Sequence, residues 1–476
     1  MNILFINPTP GHGFLVDNIK RKRIAGLFPP LGIASLATVL ENGGYNCKVI
    51  DLFITPLTKE QLLYEVKEFK TDIVCISILT SQAPEAYTIA KVLKSSFTIP
   101  IICGGSHASI FAEKILEDIK EIDYIIFGEG EYKLLNLVNA ITANTSISMV
   151  RGIYYREKEV VTKTENDIMI TDLDTLPIPL RKFFDIDKYI PVPNQYKRLP
   201  TINMITSRGC TYRMCKFCNE SSFMHTTYRR NSVSRVIEEI KYLIKQYGVR
   251  EIYFFDDEFV LDKEWILNFC DALHTENLDL TWTCYAKVNF VTLELLKKMA
   301  SVGCWGISYG IESANQELLN SLQKGQSLFQ IRNAVHWAHE AGIEVKGSFM
   351  LGLPGETPEM GKKTIDFAIE LDVDYPIFTL TTPYPGTKLY EDFVAEGNVD
   401  FDYSHYTSLF PIYLSKGYNS REELVKLQKE AYRRCYLRLG FFKRKLARIK
   451  NGEDIQRYLK GMYFFLKMNV MDMRRL

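Results

Sequence analysis

The strongest constraint on the fold is that short β-rich segments alternate with helical segments in two successive series. In the first 140 residues the strand candidates are Asn2–Asn7, Cys47–Asp51, Ile73–Leu79, Ile99–Cys103 and Tyr124–Phe127. Strands that alternate with helices form right-handed βαβ units, which build a parallel sheet with helices on both faces. We therefore predict an N-terminal doubly wound α/β domain of the Rossmann or flavodoxin type, with its ligand at the carboxyl ends of the strands.

The second series begins at Thr201 and contains six strand candidates. They are Thr201–Thr206, Glu251–Phe255, Thr281–Tyr285, Trp305–Gly310, Val345–Met350 and Ile377–Thr381. After the first of them, an apolar face with helical spacing runs from Val233 to Ile244 and ends at Gly248. Six such units predict a partial (β/α)6 barrel, whose chemistry lies at the C-terminal ends of its strands.

The two series predict the domain boundaries. The doubly wound domain spans residues 1–145, a proline-containing linker 146–195, the barrel 196–400 and a helical C-terminal extension 401–476. The formal net charge of +1 argues against a general nucleic-acid binder. The extension, however, carries seventeen Lys and Arg against seven Asp and Glu. It is a solvated basic covering of the barrel, an amphipathic contact with a membrane surface that would favour a lipid substrate, or an RNA-binding segment.

Three of the ten cysteines cluster after the first barrel strand, in the sequence SRGCTYRMCKFC. Cys210, Cys215 and Cys218 can hold one side of a 4Fe–4S cube. They would leave one iron open, because no fourth cysteine lies nearby and His225 is the only close alternative ligand. A structural zinc site, the alternative, usually needs four protein ligands. The other seven cysteines lie in apolar segments and are predicted to be reduced, buried thiols.

This motif resembles that of the radical S-adenosylmethionine (SAM) superfamily, in which the open iron binds SAM and reduction releases a 5′-deoxyadenosyl radical. Its first spacing departs from the family pattern, because four residues rather than three separate Cys210 from Cys215. A loop accommodates an added residue at modest entropic cost. A degenerate, non-catalytic relative is a further alternative. The resemblance implies that Phe217 packs beside the adenine of SAM.

The resemblance also implies SAM contacts at the other strand ends. Asp256 and Asp257 would meet the SAM amino group, unless one of them is a helix N-cap. Lys287 would face the SAM carboxylate, unless it is a solvated lysine. Glu312 would contact the ribose, since a buried Glu needs a partner. The implied adenine contacts are Ser348, Leu351 and Gly352, and the segment PYPGTKLY at Pro383–Tyr390 looks like the family's closing-strand motif.

The N-terminal domain resembles the cobalamin-binding domains that precede this kind of barrel, in the stretches FPPLGIASLATVLENGGY, VCISILT, ICGGSHAS and FGEGE. The residues that match the site of the cobalamin tail are Ser77, Leu79, Gly104 and Gly105. The familiar Asp-x-His-x-x-Gly motif is absent, and its place reads FPPLGI. This implies base-off cobalamin without a histidine lower ligand, and His107 is predicted to be structural or a phosphate or amide contact rather than a cobalt ligand. A flavodoxin-like scaffold that has lost its ligand is the alternative.

Together these resemblances imply an enzyme that uses a 4Fe–4S cluster, SAM and cobalamin to methylate an unactivated carbon of a small-molecule or lipid substrate. The alternatives are a radical SAM cyclase or oxidoreductase without methyl transfer, and a non-catalytic cobalamin- or cluster-binding module. An electron donor such as ferredoxin or flavodoxin is the expected partner, and no nucleic acid is expected. The chain shows neither a membrane-spanning apolar run nor a signal peptide, so we expect a cytoplasmic protein that works anaerobically.

Overall fold

The fold is that of a computed structural model, which describes residues 1–11, 26–165, 169–219, 227–397 and 399–470, the last seven of these by their backbone alone. Contacts within the chain divide it into two compact units. The first comprises Met1–Ile190 and Asp400–Tyr406, and the second comprises Pro191–Val399 and Thr407–Leu476.

The first unit is built on one twisted sheet. Its strands are β1 (Asn2–Asn7), β2 (Asn46–Asp51), β3 (Ile73–Ser77), β4 (Ile101–Gly104), β5 (Tyr124–Ile126), β6 (Ile153–Glu157) and β7 (Val160–Lys163). The first five pair in parallel in the order β2-β1-β3-β4-β5. This is the flavodoxin-like order, so the predicted doubly wound fold is confirmed.

Helices cover both faces of this sheet. They are α1 (Leu31–Asn42), α2 (Lys59–Glu68), α3 (Ala83–Lys94), α4 (Ser106–Ile110), α5 (Ala112–Asp118) and α6 (Glu131–Ala143). Successive residues of a strand point to opposite faces. Accordingly Ile3 of β1 belongs to the same apolar cluster as Leu40 of α1, whereas Leu4 belongs to the opposite cluster with Ile89 of α3. Burial on both faces explains the continuous apolar runs of the central strands.

The structure differs from the prediction in the stretch 146–195, which was predicted to be a linker. The hairpin β6–β7 lies in this stretch and pairs antiparallel with β5, so it extends the first sheet. The first unit also continues to Ile190. In β6 only Ile153 and Tyr155 are buried, and such a short alternation near a sheet edge is a weak signal in sequence. The other domain boundaries stay predictions.

The second unit is the barrel. Its strands are β8 (Thr201–Met204), β9 (Ser207–Arg208), β10 (Arg229–Arg230), β11 (Glu251–Phe254), β12 (Thr281–Ala286), β13 (Cys304–Glu312), β14 (Glu344–Leu351) and β15 (Tyr375–Leu380). Six of them form a parallel sheet in the order β15-β14-β13-β12-β11-β8, and β9 pairs with β10. Because each of these six strands lies beside the next of the six along the chain, the sheet is an open half-barrel, which confirms the predicted (β/α)6 architecture.

The helices of this unit follow the strands. They are α7 (Val233–Tyr247), α8 (Lys263–Thr275), α9 (Leu293–Ser301), α10 (Gln316–Ser321), α11 (Leu328–Glu340), α12 (Pro358–Glu370), α13 (Lys388–Glu396), α14 (Arg421–Tyr436), α15 (Leu439–Ala447) and α16 (Gly452–Val470). As predicted, α7 ends at Gly248, whose φ of +60° suits glycine. Within the described ranges, no helix has both the length and the apolar character needed to cross a bilayer.

The basic C-terminal extension does not simply cover the barrel with solvated charge, which corrects one of the predicted alternatives. Lys445 and Arg457 are buried, and their side chains lie 3.0 and 3.3 Å from the carboxylate of Glu344, the first residue of β14. Arg448 lies 3.1 Å from Asp374, just before β15. An ionised carboxylate is costly to bury unless an opposite charge compensates for it. Part of the basic extension is therefore an internal counter-charge at the amino ends of these strands.

Candidate functional site

The cysteine motif lies at the carboxyl end of β8. Cys210, Cys215 and Cys218 occupy one loop, in which all three thiols are half-buried and free of disulfide bonds. The N–H of Cys218 donates to the carbonyl of Cys215 at 3.2 Å, so the last two thiols are joined by a tight turn. The alternative ligand His225 lies outside the described residues.

The three thiols of this loop are a donor set that an iron–sulfur cube can take. In the described parts of the chain, no three His, Cys, Asp or Glu side chains converge on a point that could hold one metal ion. A cube takes each thiolate on a separate iron, so its ligands need not converge. Burial raises the pKa of Cys215, whereas the ammonium groups of Lys324 and Lys287 favour its thiolate. The donor set and the nearby positive charge therefore fit the cluster.

The two predicted aspartates have different surroundings. Asp256 is only 1% exposed, and its carboxylate accepts hydrogen bonds from the N–H and hydroxyl of Thr206 at 3.0 and 2.7 Å and from the hydroxyl of Ser207 at 2.5 Å. It thereby holds the chain that leads from β8 into the cysteine loop. Asp257 is more accessible and accepts a hydrogen bond from the N–H of Gly209. The geometry leaves Asp257 as the member of the pair that is open to a ligand.

Glu258, the next residue along the chain, was missed by the sequence reasoning. Its side chain is buried, with 4% exposed, and burial raises its pKa to about 7. The carboxylate accepts hydrogen bonds from the backbone of Lys287 and Val260, but its Oε1 has no hydrogen-bond partner among the described residues. A buried acceptor without a partner is costly. Glu258 is therefore a candidate acceptor for a donor group of a ligand, and its place directly after FFDD could have suggested it.

Lys287 lies beside the cysteine loop rather than in solvent. Its ammonium group is 3.1 Å from the centroid of the ring of Tyr212, which lies between the first two cysteines. Burial lowers the pKa of Lys287, and the thiolates of Cys215 and Cys210 act in the opposite direction. The structure thus places Lys287 at the site, in a cation–π contact with the loop.

Glu312 ends β13 and forms an ion pair with Lys324, whose ammonium nitrogen lies 2.8 Å from the carboxylate. Its φ of +64° is rare for a residue other than glycine, and such outliers cluster at functional sites. The ammonium of Lys324 also lies 5.2 Å from the centroid of the Phe217 ring. Although burial opposes it, the carboxylate of Glu312 and the thiolates of Cys215 and Cys218 raise the pKa of Lys324. Sequence reasoning missed Lys324 because this residue follows a helix and not a strand.

The predicted adenine contacts gather around β14. Phe217 packs against an apolar cluster that includes Met350. Ser348 is half-buried and pairs with Gly310 of β13. The backbone nearby is already engaged within the protein: the carbonyl of Leu351 accepts hydrogen bonds from Thr381 at 2.9 and 3.0 Å, and the N–H of Gly352 donates to Glu356 at 2.7 Å.

The predicted closing motif contacts the cysteine loop. The N–H of Leu389, at the start of α13, donates to the carbonyl of Lys216 at 2.9 Å. Lys216 lies between the second and third cysteines, and its own N–H donates to the carbonyl of Leu322 at 3.1 Å. The loop is therefore attached to the barrel on two sides.

In the first unit, the predicted cobalamin contacts meet at the carboxyl ends of β3 and β4. Ser77 pairs in register with Gly104, whose carbonyl accepts the N–H of Ile78 at 2.8 Å. A side chain on Gly105, which has a φ of +98°, would come within 2.8 Å of the backbone of Ile78, whereas one on Gly104 would meet nothing closer than 3.7 Å. Leu79 is 51% exposed. An open glycine beside an exposed apolar side chain at the strand ends fits a bulky organic ligand.

His107 lies in the interior of this unit. Its Nε2 is 3.0 Å from the hydroxyl of Tyr87, and its ring packs against the rings of Phe111 and Tyr403. Burial lowers its pKa to about 4, so the ring is neutral at ordinary pH. The surroundings are those of a structural histidine.

Comparison with known proteins adds to this geometry. The "Radical SAM superfamily" profile matches residues 204–368, and the "B12 binding domain" profile matches residues 20–138. A protein of Pyrococcus horikoshii, named uncharacterized methyltransferase PH0819, is 35% identical over 420 residues, which are 88% of this chain and 90% of the relative. The chain belongs to the cobalamin-binding radical SAM family.

This radical SAM chain is also 28% identical to the anaerobic magnesium-protoporphyrin IX monomethyl ester cyclase of Rubrivivax gelatinosus, over 98% of this chain and 82% of the cyclase. Its fold is similar to that of OxsB, a cobalamin-dependent SAM radical enzyme solved with aqua-cobalamin and SAM, with a TM-score of 0.70 at 17% identity over 96% of this chain and 70% of OxsB.

The comparisons confirm the family, the fold class and the prediction that the chain is an enzyme. They also confirm its cofactors, which are a 4Fe–4S cluster, SAM and cobalamin. Like other radical SAM enzymes, it requires a reductant and a substrate. The contacts of the individual site residues stay predictions.

Proposed function

We propose that this radical SAM enzyme transfers a methyl group to an unactivated carbon of a small-molecule or lipid substrate. The observation that carries the proposal is that three cysteine thiols outside any disulfide share the carboxyl end of the barrel with the buried pair Lys324–Glu312. The relative that is 35% identical over most of both chains is named a methyltransferase, which supports methyl transfer.

Each part of the site would contribute binding or charge. When bound, the cofactors supply reductive cleavage of SAM and a methyl group held on cobalt. Cys210, Cys215 and Cys218 would hold the cluster and leave one iron for SAM. Asp257 and the Oε1 of Glu258, which has no hydrogen-bond partner in the described part of the chain, would accept hydrogen bonds from the SAM ammonium.

Lys324 would balance the negative charge of the thiolates, and Glu312, held by Lys324, would meet the ribose. Phe217 would pack beside the adenine, together with the contacts proposed around β14, which are Ser348, Leu351 and Gly352. In the first unit, the proposed cobalamin contacts are Ser77, Leu79, Gly104 and Gly105. These residues would position the cofactors and exclude water, and the bound cofactors would supply the radical and methyl-transfer chemistry.

A second candidate is a radical SAM cyclase or oxidoreductase without methyl transfer. The similarity to the cyclase of Rubrivivax gelatinosus, which extends over 98% of this chain, favours this alternative. The two candidates differ in products. Methyl transfer with restoration of the methyl group by a second SAM yields 5′-deoxyadenosine and S-adenosylhomocysteine together, whereas cyclisation or oxidation yields 5′-deoxyadenosine alone.

The test is anaerobic purification, reconstitution with iron, sulfide and hydroxocobalamin, and quantification of both products after addition of SAM, dithionite and small-molecule or lipid extracts. The Cys215→Ala variant is the control. We expect 5′-deoxyadenosine that depends on Cys215, accompanied by an equal amount of S-adenosylhomocysteine. Deoxyadenosine without S-adenosylhomocysteine would favour the second candidate, and bound zinc in place of iron would refute both.

Ferredoxin or flavodoxin as the reductant, and peripheral membrane contact through the extension, are further proposals. Membrane contact is supported by α15, where Leu439, Phe442 and Leu446 lie at helical spacing and are exposed, and the exposed Lys443 could meet anionic lipid. Co-sedimentation with phosphatidylglycerol vesicles tests it. Replacement of the three apolar residues by serine should abolish binding, and wild-type protein that stays in the supernatant would refute it.

A further inference from the structure

The four-residue spacing between Cys210 and Cys215 is held by contacts of its own. The ring of Tyr212 lies next to the Lys287 ammonium, 3.1 Å from ring centroid to nitrogen. The hydroxyl end of the ring occupies the place that a side chain on Gly325 would need. The φ of Gly325 is +64°, a conformation that side chains rarely adopt. A glycine at this position therefore leaves room for the tyrosine.

The residue after Tyr212 reverses the chain within the loop. Arg213 has a φ of +49°, in the left-handed region, and its Nε donates a hydrogen bond to the carbonyl of Cys210 at 3.2 Å. A left-handed residue that bonds back to the start of the loop shortens the path between its two ends. The added residue is thus taken up by a local turn.

The two segments that contact the tyrosine are joined to each other and to the rest of the site. The side-chain amide of Asn289 donates to the carbonyl of Gly325 at 2.9 Å, which links the segment after β12 to the segment after α10. Gly325 directly follows Lys324, the partner of Glu312. The ring of Tyr212 therefore lies where the cysteine loop meets two other segments of the barrel.

We propose that Tyr212 is a positioning residue for the cysteine loop. Its ring, which contacts the Lys287 ammonium and fits against Gly325, anchors the segment that carries Cys215, so that a four-residue spacing still presents three thiolates to one cluster. Lys287 then acts on the cysteine loop through Tyr212. The inference rests on the cysteine ligands of the proposed function and adds the residue that compensates for the unusual spacing.

The experiment compares Tyr212→Ala, Tyr212→Phe, Lys287→Met and the double variant Tyr212→Ala/Lys287→Met, after anaerobic reconstitution. Phe329→Ala removes an exposed ring of the same unit and is the matched control. Three properties are measured: iron and sulfide bound per chain, the rate at which a chelator removes the iron, and the EPR spectrum of the reduced cluster with and without SAM. Tryptophan fluorescence checks that each variant is folded.

We expect Tyr212→Ala to lose iron to the chelator about tenfold faster than wild type, the size of a half-buried cation–π contact, and to show an altered EPR response to SAM. Tyr212→Phe should behave as wild type, because the contact needs the ring. Lys287→Met should resemble Tyr212→Ala, and the double variant should be no worse than either, because both substitutions break the same contact.

The proposal would be overturned if Tyr212→Ala lost iron to the chelator at the wild-type rate and gave the wild-type EPR spectra. It would also be overturned if Tyr212→Phe were as defective as Tyr212→Ala. Fully additive effects of the two single substitutions would also overturn it. A wild-type chain that binds no iron and sulfide would instead refute the proposed function, and this proposal with it.

Discussion

The contribution of the ion pair between Lys324 and Glu312 to the free energy of unfolding can be measured directly. The two charged groups are 2.8 Å apart, and their side chains are only 14% and 8% exposed. At an effective dielectric constant of about 20, charges at this distance attract by roughly 6 kcal/mol. Desolvation of both groups offsets much of that attraction. Removal of one partner, however, leaves the other charge buried without compensation, at a cost of about 3–5 kcal/mol.

We therefore expect Lys324→Met to lower the free energy of unfolding of the barrel unit by about 3–5 kcal/mol. The double variant Lys324→Met/Glu312→Gln should recover part of this loss, because it removes the stranded charge. Lys297→Met is the matched control. Lys297 lies 2.9 Å from Glu340, but these side chains are 53% and 42% exposed, so its loss should cost less than about 1 kcal/mol.

Urea unfolding of the apo-protein, followed by tryptophan fluorescence under reducing conditions, measures these changes. The fluorescence reports on the second unit alone, because all four tryptophans lie there: Trp265, Trp282, Trp305 and Trp337. If Lys324→Met costs no more than Lys297→Met, or if the double variant is no more stable than Lys324→Met, the buried-pair argument is wrong.

Three further predictions concern other parts of the molecule. Burial lowers the pKa of His107 from 6.5 to about 4. As the pH falls from 6.5 to about 4, the unfolded chain therefore binds the proton before the folded chain does. The free energy of unfolding of the first unit should fall by about 3 kcal/mol over this pH range. Hydrogen exchange of β3 and β4 should show this in wild type, and an equal loss in His107→Phe would contradict it. Gly104→Ala should fold normally but retain less cobalamin in equilibrium dialysis, because its side chain would fill open space. Gly105→Ala should in addition destabilise the first unit. Unchanged cobalamin retention in Gly104→Ala would argue against the proposed contact. Glu344→Gln should lower the unfolding free energy of the barrel by about 3–5 kcal/mol, because Lys445 and Arg457 lose their buried counter-charge, and a urea midpoint equal to that of wild type would refute that account.

Much of the fold could be predicted, because the periodic spacing of apolar residues along the chain indicates its strands and helices. Alternation of β-rich and helical segments predicted both parallel sheets, and Gly248 marked the end of α7 as expected. The cysteine motif was equally readable, because its chemistry depends on residue type and close spacing along the chain. The hairpin β6–β7 was not predicted, because two short strands near a sheet edge carry little apolar pattern.

The electrostatic partners within the site could not be predicted in the same way. Three acidic residues follow β11. Nothing in their order shows that Asp256 accepts hydrogen bonds from Thr206 and Ser207, whereas one oxygen of Glu258 has no partner among the residues that the structure describes. The role of Lys324 depends on a turn after α10 that reaches the end of β13.

The sequence by itself therefore determined the family, the architecture, the cofactors and the three thiols, because periodicity and short motifs are local properties. Tertiary structure alone decided which charges are paired. Three such contacts join residues that are far apart along the chain or lie on different elements. They are the contacts of Lys324 with Glu312, of Lys287 with the ring of Tyr212, and of Lys445 with Glu344. The physical reason is that the energy of a charge depends on its distance from other charges and from water, and these distances exist only in the folded chain.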